Sequence, residues 1–106
     1  MTTPKLKRAD FNNLFKKGKT IAGKLVFLKL KKNKQKLSRF AIVVGLKVSK
    51  KSTTRNKIKR QLKEIIGKSA NNIKSGFDML IVVKPQIIGR KYREIEKEIE
   101  DLLQMI

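Results

Sequence analysis

The stretch FAIVVGLKV at residues 40–48, followed by SKKSTTRNKIKRQLKEII at residues 49–66, decides the fold that this sequence predicts. The first part is apolar on both faces of an extended chain, which is typical of a central strand. Gly45 inside it favours a bulge or the close approach of another group. The second part has the spacing of a helix, so the pair predicts a strand that leads directly into a helix.

The predicted helix begins near three hydroxyl residues and runs to about Ile66, with Gly67 beyond its end. Any of the three could cap its first turn: Ser52, Thr53 or Thr54. Four apolar residues fall on one side at helical spacing and predict the face that packs on a sheet: Ile58, Leu62, Ile65 and Ile66. The opposite side is almost wholly cationic. Residues 47–63 contain 8 basic residues and no acid.

Working outward in both directions, the pattern predicts a single α+β domain over residues 1–106, in the order α-β-β-β-α-β-α, with helices packed on one sheet. The further elements are a first helix at Arg8–Lys17, an extended segment at Thr20–Lys31, a strand at Phe77–Lys84 stopped by Pro85, and a last helix at Arg90–Leu103. Thr20–Lys31 and Phe40–Val48 are predicted to pair as a hairpin. General rules give the strand–helix–strand unit between Phe40 and Lys84 a right-handed crossover.

The composition excludes several kinds of active site. The chain has no His, Cys or Trp, so a Ser-His-Asp triad, a Cys nucleophile and a zinc site of the usual nitrogen and sulfur ligands are all ruled out. Five acids crowd the last helix, Glu94, Glu96, Glu98, Glu100 and Asp101, but their alternation with Ile and Lys is typical of a solvated helix face. Asp78 and Glu64 are isolated and predicted to be structural. No catalytic residue is predicted.

The charge of the chain is concentrated in its first part. Of 28 basic residues, 21 lie in residues 1–63 against a single acid, and the formal net charge of the whole is +20. A small domain needs a net charge of only about 2–8 for solubility. The excess therefore indicates a polyanionic partner, with nucleic acid ahead of a membrane surface.

Three phenylalanines could serve as platforms on which unpaired bases stack: Phe11, Phe15 and Phe27. Their positions, on a helix stripe and in a strand, are also those of buried aromatics. By spacing alone the core interpretation is favoured.

The order of motifs resembles the protein subunit of bacterial ribonuclease P. The resemblance rests on Val48–Lys51, reading VSKK, followed by Arg55–Arg60, reading RNKIKR, where Lys57 stands at the family's second arginine. It extends through Asp10–Phe11 with Phe15 and Gly18 near the start, and through Phe77–Val83 near the end, so it covers most of the chain.

The resemblance implies an RNA-based ribonuclease, in which a partner RNA carries the active site and holds most of the magnesium, while the protein is an accessory subunit that helps bind precursor tRNA. It implies a left-handed strand–helix–strand crossover in place of the default. Residues implied to line a cleft for the single-stranded 5′ leader are Phe11, Phe15, Phe27 and Lys29, the two helix phenylalanines then being partly exposed. Residues implied to meet the catalytic RNA or its metals are Lys50, Lys51, Arg55, Asn56, Lys57, Lys59 and Arg60, with Lys63 on the same basic helix face.

Two other classes fit the charge and the fold: a small ribosomal protein and a nucleoid-type DNA binder. The nucleic acid recovered with the protein would separate them from the ribonuclease P reading. The longest apolar runs are far shorter than the ~20 residues of a membrane span, and the start of the chain lacks the apolar stretch of a secretion signal. The expectation is a cytoplasmic protein with no membrane partner and no small-molecule substrate.

Overall fold

The computed structural model describes residues 16–33, 38–69 and 76–106. Its elements are β1 (Lys19–Ala22), β2 (Val26–Lys32), β3 (Arg39–Val43), α1 (Ser52–Lys68), β4 (Phe77–Val83), a 3₁₀ turn (Pro85–Ile87) and α2 (Tyr92–Gln104). The α+β class and the order of the described elements confirm the prediction. The predicted first helix, Arg8–Lys17, lies outside the described residues except for Lys16 and Lys17, which are helical.

The four strands form one sheet in the order β1-β2-β4-β3. β1 and β2 are an antiparallel hairpin, β2 and β4 are antiparallel, and β3 and β4 are parallel with α1 between them in the chain. The predicted hairpin between Thr20–Lys31 and Phe40–Val48 is therefore wrong. The extended segment instead folds on itself around Gly23, and β4 lies between β2 and β3. The hand of the β3–α1–β4 crossover stays a prediction.

The strand predicted at Phe40–Val48 is shorter than expected and lies at the edge of the sheet. It ends at Val43, and its five residues are all half-buried. β4, which is equally apolar on both faces, occupies the interior position instead. Gly45 falls beyond the strand, and a Cβ built on it would meet nothing within 4 Å, so no bulge or close approach explains this glycine.

One face of the sheet packs against both α1 and α2. The predicted stripe of α1 is buried as expected, with Leu62 and Ile65 fully enclosed, and the four apolar residues predicted for the last helix are buried as well. Alternate residues of β2 and β4 supply the sheet's side of this core: Val26, Leu28, Leu30, Met79, Ile81 and Val83. Burial of this apolar face fixes the rotation of both helices about their axes.

The other face of the sheet, here called the second face, carries the remaining alternate residues. Phe27 and Lys29 of β2 stand opposite Val82 and Leu80 of β4 in the strand register. Leu80 is fully buried and forms a small separate cluster with Val82 and two residues of β3, Ala41 and Val43. The sheet therefore has apolar side chains on both faces. One face packs against α1 and α2, and the second face carries the separate cluster around Leu80.

The ends of α1 differ from the prediction. The residue at its N-cap is Lys51, whose side chain makes no capping hydrogen bond, and the three hydroxyl residues lie inside the first turn. Gly67 is helical, and the helix ends one residue later, before Ser69, whose N–H bonds back to the carbonyls of Ile65 and Ile66. A glycine lowers helix stability by about 1 kcal/mol but does not stop a helix that is packed along its length.

A carboxylate of α2 holds the β1–β2 turn. Glu98 accepts the backbone N–H groups of Lys24 at 2.7 Å, Leu25 at 2.8 Å and Val26 at 3.0 Å. Lys84 reaches the same turn from beyond β4 and donates its Nζ to the Gly23 carbonyl at 2.6 Å. The prediction that Glu98 is solvated is wrong. A tight turn leaves backbone N–H groups without hydrogen-bond partners, and the Glu98 carboxylate accepts hydrogen bonds from three of them.

A second carboxylate joins β4 to β3 and to the residue that follows β2. Asp78 of β4 accepts hydrogen bonds from Nε and Nη2 of Arg39 at 2.9 and 2.7 Å, and from Nδ2 of Asn33 at 2.8 Å. Partial burial by itself raises the pKa of Asp78, but the hydrogen bonds from Arg39 and Asn33 outweigh it and hold that pKa below its ordinary value. The structural role predicted for Asp78 is confirmed.

Candidate nucleic-acid interface

The packing of α1 turns its basic residues away from the core. We call the cationic surface the set Lys50, Lys51, Arg55, Asn56, Lys57, Lys59, Arg60 and Lys63. Six of these side chains are exposed, while Arg55 and Lys59 are half-buried. Because Ile58, Leu62 and Ile65 fix the rotation of the helix, the sequence interpretation of one apolar and one cationic face is confirmed.

Nothing within the described chain neutralises this surface. The ion pairs of the described chain involve Arg39, Lys68 and Arg90, and none includes a basic residue between Lys47 and Lys63. The first turn of α1 has no acid and its start has no side-chain cap, so the partial positive charge of the helix N-terminus adds to that of the lysines. The surface repels itself and favours an anion from outside.

The far end of α1 is different. Lys68, in the last turn, lies 3.5 Å from Glu64 and 3.9 Å from Glu96 of α2, and its Nζ lies 5.3 Å from the centre of the Tyr92 ring. The hydrogen bond to the Tyr92 hydroxyl and the neighbouring negative charges raise the pKa of Lys68. Charge compensation thus begins where the cationic surface ends.

Arg55 contacts its own chain. Its Nη1 donates to the carbonyl oxygens of Ser49 at 2.9 Å and Lys50 at 3.0 Å, so the guanidinium reaches back over the loop that precedes the helix. The sequence interpretation placed Arg55 among the residues that meet the catalytic RNA or its metals and missed this internal role. The available signal was its position, one turn into a helix, from which a long side chain with several donors reaches the preceding carbonyls.

The second face of the sheet brings together part of the predicted cleft. Phe27 and Lys29 are two residues apart on β2, both half-buried, and they point to the same side. Each has an apolar neighbour across the sheet, Val82 and Leu80 respectively. The other two residues predicted for the cleft, Phe11 and Phe15, lie outside the described residues. The cationic surface lies on the helix side of the sheet, and the half-buried ring of Phe27 lies on the second face.

The described acids do not form a metal site. In the ranges 16–33, 38–69 and 76–106, no three carboxylate, His or Cys side chains come together. Two of the half-buried acids, Glu98 and Asp78, are already hydrogen-bonded within the fold. In the same ranges no helix is long and apolar enough to cross a membrane.

The sequence matches the family model named Ribonuclease P over residues 5–106. It is 39% identical to the ribonuclease P protein component of Synechocystis sp. over 94 residues, which cover 88% of this chain and 76% of the relative. It is 33% identical to the ribonuclease P protein component of Clostridium acetobutylicum over 98 residues, covering 91% of this chain and 82% of the relative.

Solved structures agree with this relationship. The fold matches the ribonuclease P protein of Thermotoga maritima with a TM-score of 0.90 at 30% identity, over 96% of each chain. A ribonuclease P protein of Staphylococcus aureus has the same fold, with a TM-score of 0.88 at 24% identity over 99% of this chain and 95% of that one. Together with the basic helix and the parallel β3–β4 pair, these matches establish that the chain belongs to the ribonuclease P protein family.

Proposed function

We propose that this chain is the accessory protein subunit of a ribonuclease P ribonucleoprotein. In this proposal the partner RNA carries the active site, and the chain supports endonucleolytic removal of the 5′ leader from precursor tRNA. The observation that carries the proposal is the cationic surface, because a helix face this basic has no compensating partner in the described chain. Family membership favours this function over a ribosomal or nucleoid protein of similar charge.

The cationic surface is proposed to bind the catalytic RNA. Lysine ammonium groups act as point charges toward phosphates, the exposed guanidinium of Arg60 can bind a phosphate through two donors, and Asn56 can reach a sugar hydroxyl or a base edge. Binding is driven by the release of counterions from the RNA, so it depends strongly on salt.

The second face of the sheet is proposed to bind the 5′ leader. An unpaired base can stack on the exposed part of Phe27 while Lys29 contacts the adjoining phosphate. Phe11 and Phe15 are proposed to belong to the same cleft. On opposite sides of the sheet, the two proposed sites would let one small domain hold the catalytic RNA and the substrate at the same time.

Magnesium is proposed to be held mainly by the partner RNA. The described acids are too dispersed to supply a set of protein ligands, so they do not fit a resident metal site. Toward magnesium, the basic residues act in this proposal only indirectly, by lowering the repulsion between the RNA phosphates that they bind.

Reconstitution tests the proposal. Purified chain, the catalytic RNA of the source organism and a precursor tRNA are combined with magnesium, and cleavage at the mature 5′ end is measured. The complex should cleave at a salt concentration at which the RNA alone is slow, and RNA-free protein should not cleave. Metal-dependent cleavage by RNA-free protein would contradict the proposal.

The leader site has its own test. Phe27→Ala and Phe15→Ala should each lower affinity for precursor tRNA by about 1–3 kcal/mol while leaving mature tRNA, which has no leader, bound almost as before. Phe40→Ala is the matched control, because Phe40 packs against the core on the helix side of the sheet. It should lower the melting temperature without changing the ratio of the two affinities. If Phe27→Ala and Phe15→Ala changed only the melting temperature and not the ratio of the two affinities, base stacking on these phenylalanines would no longer support a leader site.

A further inference from the structure

Arg55 bonds to the loop before α1 through both its side chain and its backbone. The carbonyl oxygens of three consecutive residues, Ser49, Lys50 and Lys51, all accept hydrogen bonds from Arg55. The first two bond to its Nη1 and the third to its backbone N–H at 3.1 Å. The N–H of Lys51 is also engaged, since it donates to Ser49 Oγ at 3.2 Å. The loop backbone is thus fixed without any contact from a partner.

This arrangement has an electrostatic consequence. Carbonyl oxygens carry partial negative charge and would repel a phosphate that approached the start of the helix. Here the Ser49 and Lys50 oxygens are turned toward the Arg55 guanidinium, and the Lys51 oxygen accepts the backbone N–H of Arg55. The side chains of Lys50 and Lys51 are exposed, and the helix N-terminus has no side-chain cap. An approaching anion therefore meets ammonium groups and helix N–H groups rather than carbonyls.

Val48 anchors the same loop on the other side. Its side chain is buried in the core, and its N–H closes a turn onto the Gly45 carbonyl at 3.1 Å. The segment Ser49–Lys51 is thus held between a buried residue before it and Arg55 after it. Two flexible lysine side chains project from a backbone whose position is set in advance, which lowers the ordering cost of binding.

We propose that Arg55 is a positioning residue, which presents Lys50 and Lys51 to one phosphate group of the RNA at the N-terminus of α1. This inference rests on the proposed function, because it takes the cationic surface to bind RNA. It assigns Arg55 a role different from that of Arg60, which is exposed and makes no hydrogen bond within the described chain that would hold the loop.

Two double-mutant cycles test the assignment. Affinity for the catalytic RNA is measured for the full chain, for Arg55→Gln, for Arg60→Gln, and for each of these in a Lys50→Gln/Lys51→Gln background. Arg55→Gln alone should weaken binding on the order of tenfold. In the Lys50→Gln/Lys51→Gln background it should weaken binding by about twofold at most, since the two lysines that Arg55 positions are absent. Arg60→Gln should cost the same factor in both backgrounds.

The salt dependence gives an independent readout. Arg60→Gln should lower the slope of log affinity against log salt by about one, as expected for one lost phosphate contact. Arg55→Gln should also lower it by about one in the full chain, because Lys50 and Lys51 share one phosphate, but should leave it unchanged in the Lys50→Gln/Lys51→Gln background, where that contact is already lost. Additive effects of Arg55 and the lysines would overturn the proposal, and so would equal coupling in the Arg60 cycle. If the unmodified chain did not bind the RNA at all, the proposed function itself would fail.

A measurement on the unsubstituted chain covers the case in which Arg55→Gln unfolds. Nitrogen NMR of the RNA-free protein reports rotation of each guanidinium about its Cζ–Nε bond. Arg55 should rotate slowly and show protected Nη1 protons, whereas Arg60 should rotate freely. Equally fast rotation of the two groups would show that the loop is not held before RNA arrives and would overturn the proposal.

Discussion

The two helices α1 and α2 pack on the same face of the same sheet, yet their charged residues are used in opposite ways. On α2, Glu98 holds a turn and Glu96 faces Lys68. On α1, the basic residues before Lys68 form no ion pair within the described chain. The half-buried acids of α2 are thus part of the fold, whereas most basic residues of α1 before Lys68 are exposed and have no acidic partner in the described chain. Substitutions on the two helices should therefore affect different measurements.

Removal of the Glu98 carboxylate should have the largest effect on stability. Glu98→Ala leaves three backbone N–H groups without their acceptor, and we expect a loss of about 2–4 kcal/mol in the free energy of unfolding. Urea unfolding measures this loss. The matched control is Glu100→Ala on the exposed side of the same helix, which should change stability by less than about 0.5 kcal/mol. Equal effects of the two variants would show that Glu98 does not stabilise the fold through the turn.

Gly23→Ala tests the same contact from the turn. A Cβ at this position would lie 2.8 Å from the Val26 carbonyl oxygen and 3.0 Å from both Glu98 Cδ and Leu102 Cδ1. Since a backbone atom cannot easily move, we expect a loss of about 1–3 kcal/mol in unfolding free energy. Gly45→Ala, where a Cβ meets nothing within 4 Å, is the control and should be neutral or slightly stabilising. Comparable melting temperatures for both variants would contradict the tight packing of α2 on the turn.

Asp78, which accepts hydrogen bonds from Arg39 of β3, extends the comparison to the sheet. Its pKa is held below the ordinary value of 3.8, so the carboxylate form stabilises the fold above that value, and the contribution is lost as pH falls through the lower folded pKa. Asp78→Asn should cost about 1–2 kcal/mol at neutral pH. It should also flatten the dependence of stability on pH below about 4. Denaturant unfolding at a series of pH values measures both. An unchanged pH dependence in this variant would mean that other carboxylates are responsible.

Lys63→Ala should have the smallest effect on folding. Lys63 is exposed and unpaired within the described chain, so the unfolding free energy should change by less than about 0.5 kcal/mol. RNA affinity should fall and the salt slope should drop by about one, as for one phosphate contact. Lys97→Ala, an exposed lysine of α2, is the control for a general loss of charge. If both variants changed the slope equally, the RNA would not distinguish the two helices.

The helices and their buried faces could be predicted because their information is local. Ile58 and Leu62, or Ile95 and Ile99, identify a packed face by spacing alone. Strand pairing could not be predicted in the same way, since the alternation that predicts a strand is the same for any neighbour. β2 therefore looked like a partner of β3, although its neighbours are β1 and β4.

The candidate site shows the same limit. The cationic face of α1 follows from residue spacing, but the internal bonds of Arg55 depend on a loop conformation that no periodicity encodes. Glu98 was hidden for a related reason, because the N–H groups that it accepts lie more than seventy residues earlier in the chain. Side chains that bond to a distant backbone have no signature in their own neighbourhood.

The interior position of β4 has a consequence for synthesis of the chain. β2 and β3 do not touch each other in the sheet, and both take β4 as neighbour, with Val26 opposite Val83 and Val43 opposite Val82. A nascent chain that stops short of β4 therefore has the β1–β2 hairpin, β3 and α1, but lacks the strand that joins β2 to β3 in the sheet. Contacts this distant in sequence form late, after a large cost in loop entropy. Helix α1, which carries the cationic surface, is thus made before the sheet that orients it, and its proper presentation awaits the emergence of the last strand.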